Sequence, residues 1–164
     1  MSVKGIDHIG IAVRSLEDSI PFYRDVLGLP FLGIEEVESQ KVRVGMFLVG
    51  ESRIELLEPT SEESPIARAI EKRGEGMHHI AYSVDCASDE VESLVRKGVR
   101  MIDNTPRDGA GGTRIAFVHP AASGICRVVQ ECAVGNGRRG RVGAVVDSPA
   151  TVRRVARERA IRYR

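Results

Sequence analysis

The chain has no tryptophan, and Phe and Tyr supply only 4% of its 164 residues. It has three cysteines, Cys86, Cys126 and Cys132. That odd number, without CxxC spacing, argues against a disulfide framework or a zinc ribbon and reads as reduced, mostly buried thiols. No apolar run approaches the roughly 20 residues that a bilayer-crossing helix needs, so no membrane association is expected. Met1 leads straight into a strand-like segment, with no basic patch and apolar stretch of the secretory kind. The expected location is therefore cytoplasmic. What the chain does contain, 42% apolar and 29% charged residues, is the composition of a globular domain large enough to bury its own core.

A formal net charge of +1 conceals an asymmetry. From Gly135 to Arg164 there are nine arginines against Asp147 and Glu158, a net +7. The reading is a domain over 1–134 followed by an Arg-rich extension over 135–164. Only Tyr163 offers an aromatic ring for base stacking there, so a solvated extension is expected in place of a nucleic-acid site.

Within 1–134 the sequence repeats itself. IDHIGIAVRSLEDSIPFYRDVLGL is echoed by MHHIAYSVDCASDEVESLVRKGV, each a His-containing strand, a polar break and an amphipathic helix closed by glycine. Ser15 caps the first helix, Leu16, Ile20, Tyr23 and Leu27 form its stripe, and Gly28 ends it. In the second, Val91, Leu94 and Val95 form the stripe and Gly98 the stop. FLGIEEVESQ, KVRVGMFLVG and SRIELLEP follow the first copy as strands; VRMID, TRIAFVHP and GICRVVQEC follow the second. Two βαβββ modules result, about 4–59 and about 76–132, joined by a linking helix over 64–74 with Ser64 as cap, Pro65 in the first turn and Gly74 at the end.

Alternation along the strands sorts the side chains into two faces. Asp7, Ile9, Ile11 and Val13 form one face of the first strand, and His8 lies on the other with Gly10 and Ala12. In the second module His79 lies with Ala81 and Ser83, opposite Ile80, Tyr82 and Val84. Glu55 projects opposite Ile54 and Leu56, and a carboxylate in an apolar strand needs a cation or hydrogen-bond donors. Two histidines in register across a repeat, joined by an acid, offer the nitrogen and oxygen ligands that suit cobalt, manganese, nickel or zinc.

The segments DHIGIAV, FYRDVLGL, IELLEPT followed by SPIA, GEGMHHIAYSVD, KGVRMID and GAGGTRIAFVHP resemble methylmalonyl-CoA epimerases, of the vicinal-oxygen-chelate (glyoxalase-like) superfamily, over residues 5–120. The resemblance implies an α+β fold in which two modules form a cupped, mixed but mostly antiparallel sheet with helices outside. It implies a divalent metal held by His8, Glu55 and His79, an acyl-CoA substrate and a homodimer. The implied reaction is epimerisation of methylmalonyl-CoA between its (R) and (S) forms by metal-assisted α-proton abstraction through an enolate. Glyoxalase-type lyases, extradiol dioxygenases and metal-free ligand-sequestering proteins share the scaffold and remain alternatives.

In the final strand the resembled family has a fourth ligand, a glutamate. Counting from His119 reaches Val129 here, and counting from Gly124 reaches Val128. The nearest acid is Glu131, which serves as fourth ligand and catalytic base if a bulge brings it inward, and otherwise is a strand-end surface acid. The second base is left open among Glu35, Glu36 and Glu38. His78 is expected outward or beside the site, and His119 at a strand end.

Overall fold

In a computed structural model, which describes residues 3–109, 112–122 and 126–131, eight strands form one sheet in the order β2-β3-β4-β1-β5-β8-β7-β6. The strands are β1 (Gly5–Ala12), β2 (Phe31–Val37), β3 (Val42–Val49), β4 (Ser52–Pro59), β5 (Gly76–Val84), β6 (Arg107–Asp108), β7 (Arg114–Val118) and β8 (Cys126–Glu131). The helices are α1 (Leu16–Pro21), α2 (Pro65–Arg73) and α3 (Ala87–Arg96). The Arg-rich extension and Cys132 lie outside the described residues.

The order is a palindrome of two modules. β1 pairs with β4 in parallel, β5 pairs with β8 in parallel, and β1 meets β5 antiparallel at the centre. In that central ladder His8 stands opposite Ala81 and Gly10 opposite His79. Exchanging the halves turns the first pair into the second, so His8 and His79 are equivalent positions, as the repeat predicts. The fold is the expected mixed α+β sheet of two related halves.

The helices form where the caps place them, but Leu27 and Val95, read as stripe residues, are 51% and 50% exposed. Ser15 Oγ accepts from Asp18 N at 3.1 Å, and Ser64 Oγ accepts from Ile66 N at 3.2 Å. Gly28, Gly74 and Gly98 follow the helical turns at φ of 66°, 79° and 75°, a region that other residues enter only with strain. The first helix differs from its prediction. Pro21 has no N–H for a carbonyl one turn back, and beyond it Phe22–Val26 winds as a wider π turn, closed by Leu27 N donating to the Phe22 carbonyl at 3.0 Å. The second module also departs: VRMID makes only an isolated bridge, Met101 to Val118, and the edge strand is Arg107–Asp108.

Each face of the sheet has its own core. On the outer face α1 lays Leu16 and Ile20 against Phe47 and Leu56, and α3 lays Val91 and Leu94 against Ala116 and Val129. On the inner face Ala12, Val44 and Leu57 pack with Ile66 and Ile70 of α2, so the linking helix covers one end of the cup. Ala81, Ile115, Val128 and Phe117 form an apolar wall on the same face of the second module. No helix among the described residues is long and apolar enough to cross a membrane.

Candidate metal centre

The centre of the inner face is polar. His8, Glu55 and His79 are all buried there, from adjacent strands β4, β1 and β5. His8 Nε2 and His79 Nε2 stand 2.9 Å apart, and Glu55 Oε2 is 3.5 Å from His8 Nε2. Ligands that bind one ion at about 2.0–2.1 Å and at tetrahedral or octahedral angles are themselves separated by roughly 3.0–3.4 Å. The two observed separations fall either side of that range, so the donor types suit a divalent ion while the spacing is near ligating geometry and not at it. Among the described residues no finished cage of three or more His, Cys, Asp or Glu side chains stands ready. Small side-chain adjustments would be needed to gather these three.

Glycine makes the approach of His79 possible. A Cβ on Gly10 would overlap the His79 ring, closest to Cε1 and only 2.6 Å from Nδ1 and 2.9 Å from Nε2. Burial, with His8 and His78 as neighbours that would be like-charged if protonated, drives the His79 pKa well below the ordinary histidine range. His79 is thus held neutral, the state in which imidazole binds metal. His78 is half-buried with its Nδ1 3.0 Å from His79 Nδ1; burial, and secondarily Arg73, lowers its pKa to about 4. His119 directly follows β7, and its Nδ1 accepts from Ala121 N at 3.1 Å.

A second layer braces the histidines. Asp7, expected on the outer face, is turned inward because the β1–β5 register shifts between Ile6 and His8. Its Oδ1 lies 2.9 Å from His8 Nδ1 and accepts from Gln130 Nε2 at 3.1 Å and from Arg53 Nη2. Burial by itself would raise the Asp7 carboxyl, but the hydrogen bonds of His8 and Arg53 and the charge of Arg53 outweigh it and hold the group below its usual 3.8. Arg53 also reaches Glu55, Nη2 to Oε1 at 3.6 Å. Arg53 lies two residues from Glu55 on one strand, so alternation already assigns it to this face; the bulge that turns Asp7 leaves no signature in the sequence.

Glu131 does not take the expected position. In β8 the outer face carries Val129, packed in the core under α3, and Glu131, whose Oε2 accepts from Ala87 N at 2.9 Å. It thereby caps α3, whose Cys86 N-cap makes no side-chain hydrogen bond of its own. The inward residues are Val128 and Gln130. The palindrome identifies the missing ligand position directly: Gly10 pairs with Glu55 in the first module, and its counterpart Ala81 pairs with Val128 in the second. Val128, 1% exposed, fills with hydrocarbon the place equivalent to Glu55. Glu131→Gln is accordingly expected to leave catalytic turnover within about two-fold of the parent while lowering stability by about 0.5–1 kcal/mol through the weakened cap. Parallel urea melts and rate measurements check both, and a hundred-fold rate loss would return Glu131 to the site.

A family model described as glyoxalase/bleomycin resistance protein/dioxygenase superfamily matches residues 7–117. The chain belongs to this superfamily. Among its relatives, an uncharacterized protein of Bacillus subtilis (strain 168) is 48% identical over 115 residues, covering 70% of this chain and 82% of the relative. The ethylmalonyl-CoA/methylmalonyl-CoA epimerase of Cereibacter sphaeroides is 34% identical over 128 residues, 77% of this chain and 96% of that protein. Among solved structures, a Streptomyces coelicolor methylmalonyl-CoA epimerase in complex with 2-nitronate-propionyl-CoA superposes with a TM-score of 0.77 at 36% identity, covering 81% of this chain and 100% of that one. In this glyoxalase-superfamily chain the matched span thus includes His8, Glu55 and His79, carried by β1, β4 and β5.

Proposed function

We propose that the chain epimerises methylmalonyl-CoA, removing the proton from the carbon between thioester and carboxylate and returning it on the other face. The observation that carries the reading is the convergence of His8, Glu55 and His79 on the inner face of a chain whose relatives include named methylmalonyl-CoA epimerases. A divalent ion held by these three would act as a Lewis acid toward the two substrate oxygens and lower the barrier to the enolate.

The chain's own residues supply the rest. Burial and its histidine neighbours keep His79 from carrying a charge, and Glu55, with Arg53 against its far oxygen, brings a carboxylate to the same point. Val128, Ala81, Ile115 and Phe117 form an apolar wall on the second module's side, where exclusion of water strengthens every charge interaction at the reacting carbon. Proton transfer needs an acid/base group on the cup. Of the three acids on or beside β2, Glu35 pairs with Val44, whose side chain lies on the inner face, while the exposed Glu36 pairs with Arg43 on the outer face. Glu38 starts the turn beyond the strand. Glu35 is therefore the acid/base candidate from the first module, and the second module offers no inward carboxylate on the described part of β8. The working unit is a homodimer in this proposal.

Proton exchange at the α carbon of methylmalonyl-CoA, followed by NMR in deuterated water, tests the proposal. The expected result is deuterium uptake with loss of stereochemistry, suppressed by a chelator and restored by added cobalt(II). Absence of exchange in the metal-loaded chain would refute the activity, and exchange indifferent to chelation would refute the metal.

A further inference from the structure

Three ring contacts run in series through the centre. Asp7 Oδ1 lies 2.9 Å from His8 Nδ1, His8 Nε2 lies 2.9 Å from His79 Nε2, and His79 Nδ1 lies 3.0 Å from His78 Nδ1. Two nitrogens at such distances need one hydrogen between them: two bare lone pairs repel, and two N–H groups clash. Each contact therefore holds one hydrogen, and only its direction is open. Asp7 decides it. Its Oδ1 already accepts from Gln130 Nε2 and Arg53 Nη2 and is the acceptor for His8 as well, so His8 carries its hydrogen on Nδ1. With that hydrogen on Nδ1, His8 Nε2 is the acceptor in the 2.9 Å contact and His79 Nε2–H the donor. His79 is in turn bare at Nδ1 and accepts from His78 Nδ1–H.

We propose that Asp7, His8, His79 and His78 form a directional hydrogen-bond relay in which Asp7 presets His8 for metal binding and His78 serves as the tautomer partner that lets His79 follow. This rests on the reading that His8, Glu55 and His79 receive an ion. In the metal-free chain His8 already presents a bare Nε2, whereas His79 carries its hydrogen on the atom that must bind. To become a ligand His79 moves that hydrogen from Nε2 to Nδ1 by exchange with water. The new Nδ1–H points at His78 Nδ1, so His78 moves its own hydrogen from Nδ1 to Nε2. Each ring keeps a single hydrogen in this exchange, and the shift releases no net proton. His78, which binds no ion itself, is thus a positioning residue acting through His79. Gln130 and Arg53 hold the carboxylate from which the direction starts.

The chain has four histidines, which makes long-range proton–nitrogen NMR of the full 15N-labelled chain assignable by single substitutions. Zinc(II), a diamagnetic ion, is the probe. Without zinc the expected spectrum shows Nδ1–H for His8, Nε2–H for His79 and Nδ1–H for His78. With zinc, His8 is unchanged, His79 becomes Nδ1–H and His78 becomes Nε2–H. His78→Phe, which offers no acceptor, should weaken zinc binding by about 10–100-fold, the usual scale for losing a group that orients a metal-bound histidine. His78→Asn, whose amide can donate or accept, should recover most of that loss. A His8 bearing hydrogen on Nε2, a His79 already Nδ1–H without zinc, or unaltered zinc affinity in folded His78→Phe would overturn the relay. The metal-free spectrum alone decides the direction of the relay, so a chain with that spectrum and no zinc uptake would overturn the metal reading and leave the tautomers assigned.

Discussion

Gly10→Ala is expected to cost at least about 100-fold in metal affinity and in exchange rate, because the added methyl occupies space that the His79 ring now fills. The new Cβ would lie 2.6 Å from Nδ1 and 2.9 Å from Nε2, and that ring atom cannot retreat freely. On its other side the ring meets His8, His78 and Phe117, with centroids at 5.1, 5.3 and 5.8 Å. His79 must therefore turn about its side-chain torsions, which moves Nε2 away from His8 and Glu55. Loss of an orienting contact beside a ligand typically costs 10–100-fold, and here the ligand atom itself is displaced. Overpacking of a closed site adds roughly 1–3 kcal/mol of destabilisation. Calorimetric titration with cobalt(II), alongside a thermal melt, separates the two effects. A folded variant with parental affinity would show that His79 is no ligand.

Gly10 also marks where reading by sequence ends. Its face was legible, since it lies two residues from His8, but its reason lies across the ladder in a partner 69 positions away. Much of the fold was legible because it repeats. A two-residue period fixed the inward faces of His8, Glu55 and His79, and the repeat made the two histidines equivalent before any pairing was known. Caps and terminal glycines located the helices because each acts within a few residues. Events that depend on pairing were not legible. A register shift near Asp7 turned an expected outer residue into the carboxylate that faces His8. Parity in β8 placed Glu131 on the helix side, because the strand's register is set by β5 and β7 and not by its own pattern of two valines between polar residues. Pro21 widening the end of the first helix was the exception, a local signal visible in the sequence.

His8→Ala is expected to abolish metal-dependent exchange, by at least about 1000-fold, with the fold retained. His8 touches three of the groups at the centre: its Nε2 faces both His79 and Glu55, and its Nδ1 faces Asp7. Without it Glu55 and His79 have no shared partner, and two donors on separate strands bind a divalent ion far more weakly than three. If the ion contributes about 4 kcal/mol toward the enolate, its loss alone accounts for a 1000-fold reduction. Stability should change by only about 1–2 kcal/mol, in the ordinary range for one substitution. The side chain sits on the cup face and not in the apolar cores beneath α1 and α3, and Asp7 keeps Arg53 and Gln130 as partners. Metal content after dialysis, exchange rate and a urea melt on the same preparation discriminate the outcomes. Parental metal content would remove His8 from the site, whereas a collapsed melt would mean that the Asp7 network is structural first and that His8 belongs to the fold.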